Sequence, residues 1–241
     1  MINVALLGFG RIGQMHAENI NNNKDLKILY VYEKVNGLCK KAKKLYNCKI
    51  QTNYNKIFTD KTVDIIFIST PTNTHIKFIE EGLKSKKTIF CEKPLDLNIN
   101  KIIKTFKKIK KYRPKIQLGF NRRYDPGHFS IKQDLKSSKI GKLEKIIITS
   151  RDPAPPSVSY LKTSGGLFRD MMIHDFDLCR FYLEKDEISE VQALSSSFEP
   201  MYKKINDHEL AVVTMKSKKG VLCIITNSRH CSFGYDQRIE L

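Results

Sequence analysis

The 241-residue chain contains no tryptophan, and no apolar run in it approaches the roughly 20 residues that a bilayer-spanning helix requires. A membrane-embedded role is excluded on that ground. Its six cysteines, Cys39, Cys48, Cys91, Cys179, Cys223 and Cys231, form no C-x-x-C pair and no zinc-type spacing. Several lie inside apolar runs, as Cys91 does in TIFCEK, so they read as reduced, buried thiols of a cytoplasmic protein. No His/Cys/Asp cluster has ligand spacing, and no metal is expected. The opening residues lack a basic segment followed by an apolar one, so no secretory leader is read there. Acidic residues are also scarce: 25 against 43 basic ones, a net charge of +18. That excess is no nucleic-acid signature. Only nine of the 43 basic residues are arginine, and no recognised reading motif accompanies them. The densest cluster, KIIKTFKKIKKYRPK at 101–115, carries Ile102, Ile103, Phe106 and Ile109 at helical spacing, which predicts an amphipathic helix with a solvated lysine face.

What the chain does have stands at its start. The apolar run of residues 2–7 leads into Gly8-Phe9-Gly10-Arg11-Ile12-Gly13, a G-x-G-x-x-G between a predicted strand and a predicted helix. The first glycine permits a tight turn, the second lets backbone approach a pyrophosphate, and the third lets helix and strand pack closely. The helix then offers unpaired N–H groups and its positive dipole end to the anion. Glu33 lies 20 residues beyond Gly13, at the end of the next strand, where a carboxylate accepts hydrogen bonds from ribose hydroxyls and repels a 2′-phosphate. This favours NAD over NADP, although Lys34 next to it could accommodate a phosphate.

The first half alternates strand and helix. Strands are predicted at 2–7, 26–33, 63–69, 87–91 and 115–120, with helices at 11–22, 35–46, 73–85 and 97–111; the near-continuous apolar run at 63–69 suits a buried parallel strand. This is a doubly wound α/β sheet, a Rossmann-type domain spanning 1–119. From 120 the pattern changes. A helix at 126–138, a strand at 142–151, the proline-rich loop 152–157 and a helix at 171–184 precede strands at 188–198, 207–216, 220–229 and 235–241. The reading is a second α+β domain, 120–241, with an open and mainly antiparallel sheet. The chain stops inside an apparent strand, at Arg238–Leu241, and the expectation is that it is truncated, with this sheet incomplete.

Three further segments carry chemistry. Thr70-Pro71-Thr72-Asn73-Thr74-His75 follows a strand at the carboxyl edge of the first sheet, where Thr, Asn and backbone groups could meet ribose or nicotinamide; capping of the next helix by Thr72 or Asn73 is the alternative. Cys91-Glu92-Lys93-Pro94 follows the next strand, and a lysine fixed there could polarise a hydroxyl that is losing its proton. In GGLFRDMMIHDFDLCR, Asp170 and His174 are spaced i, i+4, which on a helix puts them on one face. A carboxylate holding one imidazole nitrogen leaves the other to take a proton. Asp175 and Asp177 also flank His174, so spacing alone does not choose the partner.

GFGRIGQMH, STPTNTH, CEKP, GFNRRYDP, SRDPAPP, SGGLFRDMMIHDFD and NSRHCSFGYDQRIE together resemble the glucose–fructose oxidoreductase and inositol dehydrogenase family, collinearly along the whole chain. The EKP and D-x-x-x-H elements mark the family, and SRDPxPP and GYDQR point to its inositol branch. The resemblance implies an NAD-dependent oxidation of myo-inositol to 2-keto-myo-inositol. It implies a cofactor site at Gly8, Phe9, Gly10, Arg11, Ile12, Gly13, Glu33, Thr70, Pro71, Asn73, His75 and Glu92. It carries the catalytic roles onto Lys93, Asp170 and His174, with the polyol held also by Arg123, Asp152 and Tyr235. It implies a homotetramer packed through the open sheet, and a chain that in the family runs well beyond GYDQR. Another cyclic polyol, an aldose or a nucleotide-linked sugar would suit most of the same motifs, and a non-catalytic NAD-binding remnant is the reading from another class.

Overall fold

A computed structural model describes residues 1–241, which divide into two compact units, Met1–Gly119 and Phe120–Leu241.

In the first unit the chain runs β1 (Ile2–Leu7), α1 (Arg11–Asn21), β2 (Leu26–Tyr32), α2 (Asn36–Tyr46), β3 (Lys49–Gln51), α3 (Tyr54–Thr59), β4 (Ile65–Ile68), α4 (His75–Lys84), β5 (Thr88–Cys91), α5 (Ile99–Ile109) and β6 (Ile116–Leu118). All six strands are parallel, in the order β3-β2-β1-β4-β5-β6, the doubly wound order in which the chain reverses its direction of winding beside β1. Both faces are covered. Ala5 and Leu7 of β1 join a core with Ile66, Ile68, Phe78 and Ile89, whereas Val4 and Leu6 face Phe9, Ala17, Ile20 and Ala42. Period-two alternation thus fills two cores with one apolar strand.

The sequence reading omits β3 and α3. Three residues are too few for a visible alternation, and α3 is a six-residue turn of helix started by the Asn53 side chain, which accepts from the Asn55 N–H. In α5 the stripe is also rotated from the expected one. The Asn98 side-chain oxygen caps its start by accepting from the Asn100 and Lys101 N–H groups, and Thr105 and Ile109 are buried, but Ile103 and Phe106 are exposed. The covered face follows 102, 105 and 109 rather than the full apolar set.

The second unit contains α6 (Pro126–Lys136), β7 (Lys145–Arg151), α7 (Val158–Ser164), α8 (Gly166–Asp170), α9 (Ile173–Leu183), β8 (Ile188–Ser196), α10 (Pro200–Ile205), β9 (Leu210–Ser217), β10 (Leu222–Ser228) and β11 (Asp236–Glu240). Its sheet has the order β11-β7-β10-β9-β8, with every pair antiparallel except β7 and β10. One face packs Ile146, Ile148, Val213, Met215, Cys223 and Ile225 against Leu178, Cys179 and Tyr182 of α9. The other face is open, showing Leu194 of β8, Val212 of β9 and Leu222 of β10. The short helices α7, α8 and α10 lie outside the sequence reading because none is long enough to show a 3.6-residue period.

Candidate active site

The nucleotide turn is built from backbone. Gly8 adopts φ +95°, and a Cβ there would lie 2.8 Å from the Ser69 carbonyl oxygen. A Cβ on Gly13 would lie 2.2 Å from the Gly8 carbonyl oxygen, so only glycine lets α1 pack this tightly on β1. Gly10 is different: nothing stands within 4 Å of where its Cβ would be. It is the exposed N-cap of α1, makes no side-chain cap, and has no acidic residue in the turn that follows. The head of α1 therefore presents orphan N–H groups across a gap, the arrangement an anion needs. Arg11 is exposed beside it, whereas the Phe9 ring is buried in the core.

Glu33 closes the other side of this turn. Its Oε2 accepts from the Phe9 N–H at 2.9 Å, and its Oε1 accepts from the N–H groups of Lys34 at 2.7 Å and Val35 at 3.0 Å. The carboxylate thus ties the glycine turn to the end of β2 and holds negative charge beside it.

After β4, the hydroxyls of Thr70 and Thr74 pair at 2.6 Å, and Thr74 also donates to the Pro71 carbonyl at 2.7 Å. The N-cap of α4 is Thr74, without a side-chain cap, so neither Thr72 nor Asn73 caps the helix; Asn73 is exposed. His75 requires a correction. It is 1% exposed, with Nδ1 2.8 Å from the Pro94 carbonyl and Nε2 2.7 Å from the Thr70 carbonyl. Both nitrogens are spent inside the protein, so His75 fastens the Thr70 turn to the Lys93–Pro94 segment from behind instead of facing a ligand.

Glu92 is likewise braced. Its Oε1 lies 2.7 Å from His16 Nε2 on α1, and its Oε2 accepts from the Lys93 N–H at 3.2 Å. Gly119 leaves room for this carboxylate, since a Cβ there would lie 3.0 Å from it. Lys93 is half-buried just past β5, and the Lys93–Pro94 bond is cis. Gly8–Gly13, Glu33, Thr70 and Lys93 thus all follow the carboxyl ends of neighbouring strands, the edge at which doubly wound sheets hold their ligands.

In the second unit the expected single helix is broken. Asp170 is the last residue of α8 and His174 lies in the first turn of α9, with Met171 and Met172 between them. The Met172 N–H reaches back to the Leu167 carbonyl at 3.0 Å, which ends the regular ladder. The pair therefore spans a helix-to-helix corner and does not share the face of one helix. Buried Asp170 accepts from the Tyr160 hydroxyl at 2.7 Å and from Arg229 Nη1 at 3.3 Å. Half-buried His174 meets the Phe120 ring edge-on, with centroids 6.2 Å apart.

The flanking carboxylates have other employment. Asp175, fully buried, takes Arg122, the Ser150 hydroxyl at 2.7 Å and the Asn227 amide at 2.8 Å. Asp177 holds Arg123 through two bonds, Nε–Oδ2 at 2.7 Å and Nη2–Oδ1 at 2.6 Å. Arg123, expected at the polyol, is thus clamped to Asp177 and lies over the Phe181 ring. Asp152 sits past β7, its N–H donating to the Ser228 carbonyl at 3.0 Å, and burial raises its carboxyl pKa against the pull of Arg229. Tyr235 is 74% exposed. Arg122, Tyr160 and Arg229 were missed by sequence reasoning. Only the NSRH motif hinted at Arg229, and no spacing ties it to Asp170.

Two family descriptions match this chain: an oxidoreductase family with an NAD-binding Rossmann fold over residues 2–120, and the GFO/IDH/MocA C-terminal domain over residues 129–241. The chain belongs to the GFO/IDH/MocA oxidoreductase family. It is 39% identical over 241 residues to the myo-inositol 2-dehydrogenase of Thermotoga maritima, covering 99% of this chain and 72% of that one. A crystal structure of a myo-inositol dehydrogenase from Corynebacterium glutamicum superposes with a TM-score of 0.94 at 38% identity, over 99% of this chain and 72% of that one. The scyllo-inositol dehydrogenase of Lactobacillus casei, solved with NAD(H) and scyllo-inositol bound, gives 0.90 at 31% identity, over 99% and 73%. This family member is an NAD-dependent oxidoreductase. The open cap at Gly10 and the Glu33 carboxylate past the end of β2 fit that cofactor.

Proposed function

We propose that the protein oxidises myo-inositol to 2-keto-myo-inositol. NAD, held by the backbone of Gly10–Gly13 and by Glu33, supplies the hydride acceptor. His174 takes the proton of the reacting hydroxyl while the hydride leaves the same carbon, so that C–H and O–H bonds are exchanged for the second bond of a carbonyl. Asp170 favours the imidazolium that forms, and Lys93 donates a hydrogen bond to the oxygen as negative charge gathers there. Asp152 and Tyr235 hold other hydroxyls of the ring. Arg123 acts there through Asp177, whose carboxylate fixes it.

The observation supporting this reading is the Asp170–His174 corner: a carboxylate held by two donors at the end of α8 and a half-buried imidazole in the first turn of α9, in a chain that also holds a lysine past β5. The substrate follows from the names of the relatives. A second isomer has its own support, since the Lactobacillus casei enzyme is a scyllo-inositol dehydrogenase. The open face with Leu194, Val212 and Leu222 supports assembly through the second sheet as a homotetramer. Inositol catabolism in the cytoplasm is the setting this reading implies.

The test is NADH formation with myo-inositol, scyllo-inositol, glucose and a nucleotide-linked sugar. The reading expects the highest kcat/KM with myo-inositol. Preference for scyllo-inositol would move the substrate, and NAD binding without turnover of any polyol would leave a binding remnant.

A further inference from the structure

Arg229 has no place in the reaction just described, yet it is one of the most deeply buried large side chains in the molecule, 1% exposed. It follows β10, and its backbone N–H donates to the Glu209 carbonyl at 2.8 Å. Its Nη1 bonds Asp170 Oδ2 at 3.3 Å, whereas its Nη2 stands 3.9 Å from Asp207 Oδ2. Nε and Nη2 find no hydrogen-bond partner. A buried guanidinium this poorly satisfied is an expensive way to stabilise a fold, because its desolvation is not fully offset. What it provides instead is a fixed positive charge on one oxygen of Asp170.

The surroundings make that charge a brace. Asp207, behind Arg229, accepts the Leu167 N–H at 2.9 Å through Oδ1 and so anchors the start of α8. Gly166, at φ +81°, is what admits Asp207: a Cβ there would lie 2.7 Å from its Oδ1. The start of α8 is thus held by Asp207, and its last residue, Asp170, by Arg229. From the other side α7 brings the Tyr160 hydroxyl to Asp170 Oδ1. The remaining charges near Asp170 are Asp152, which feels both Asp170 and Arg229, the Arg122–Asp175 pair, His174, and the exposed Arg169 on α8 itself.

We infer that Arg229 is a positioning residue: with Tyr160 it fixes the rotamer and the ionised form of Asp170, and through Asp170 it sets the basicity of His174. The inference rests on the acid–base reading of Asp170 and His174. Removing a nearby cation favours the protonated form of both groups. The acidic limb of the kcat/KM profile should therefore move to higher pH when the cation is lost.

The test compares wild type with Arg229→Gln, Arg229→Lys and Tyr160→Phe. Arg229→Gln should lower kcat about tenfold or more, leave KM for NAD within about twofold, and move the acidic limb up by roughly one pH unit, the low end for an ion-pair partner. Arg229→Lys should return the limb toward wild type while kcat recovers only in part, since an ammonium keeps the charge without the fork. Tyr160→Phe should lower kcat by a smaller factor. Wild-type kcat and an unmoved limb in a folded Arg229→Gln protein would overturn the inference. If that variant does not fold, the same result in both Arg229→Lys and Tyr160→Phe overturns it. Should wild type turn over no polyol, the acid–base reading fails separately, and the Asp170 carboxyl titration, followed by NMR in wild type and Arg229→Gln, decides the brace: an unchanged titration on loss of the cation refutes it.

Discussion

The two units build their candidate sites from different materials. In Met1–Gly119 the candidate site is mostly backbone: the turn at Gly8–Gly13 and the open cap at Gly10, with Glu33 clasping three N–H groups and His75 tying two carbonyls behind it. In Phe120–Leu241 the candidate site is framed by side chains, most of them charges taken out of water: Arg122 on Asp175, Arg123 on Asp177, Arg229 between Asp170 and Asp207. Charge follows the same division. The first unit carries most of the +18 on solvated lysines, while the second pairs its charges inside. A backbone site tolerates change outside its glycines, whereas a buried ionic site fails when either partner of a pair is removed.

That contrast can be broken from either side. His174→Ala should lower kcat by roughly two to four decades, the usual worth of a positioned base, while NAD affinity measured by titration stays unchanged. A near-normal kcat would take the proton away from the second unit. Asp175→Ala leaves Arg122 buried without its carboxylate, and thermal or urea unfolding should show a loss of about 3–5 kcal/mol. A loss below about 1 kcal/mol, the size for an exposed pair, would mean that this network is not the internal scaffold described. Gly13→Ala forces a methyl against the Gly8 carbonyl, an overlap of the kind that costs about 1–3 kcal/mol in packed interiors. NAD binding should weaken while the substrate-side network keeps its protection in hydrogen exchange.

The smallest effect concerns pH. Burial raises the Asp152 pKa, so the folded state holds that proton more tightly than the unfolded one. Its contribution to stability is then full below the unfolded carboxyl pKa and is lost as pH rises through the folded one. Asp152→Asn should melt slightly above wild type at neutral pH, and the gap should close on acidification. A gap that widened toward acid would reverse the sign argued here.

The same division explains how much was legible in the sequence. Gly8, Gly10, Gly13 and Glu33 announce themselves because a backbone turn writes its needs into a fixed spacing. The six parallel strands showed as apolar runs, apart from the three-residue β3. Residues 170 and 174 could be named, but not their geometry, since nothing in GGLFRDMMIHDF tells a continuous helix from the corner at Met171–Met172. The partners were out of reach: Tyr160 is 10 residues from Asp170 and Arg229 is 59, and only tertiary packing joins them. His75 misled because a buried tie between two carbonyls has the same residue type and position as a ligand contact.

The most direct measurement is the fate of one hydrogen. Myo-inositol deuterated on the carbon that bears the reacting hydroxyl is incubated with NAD and the protein, and the reduced cofactor is examined by mass spectrometry. Deuterium in the nicotinamide, together with a ketone on the ring and their joint loss in His174→Ala, is the outcome expected here. Tight NAD binding with the label still on the inositol would contradict it.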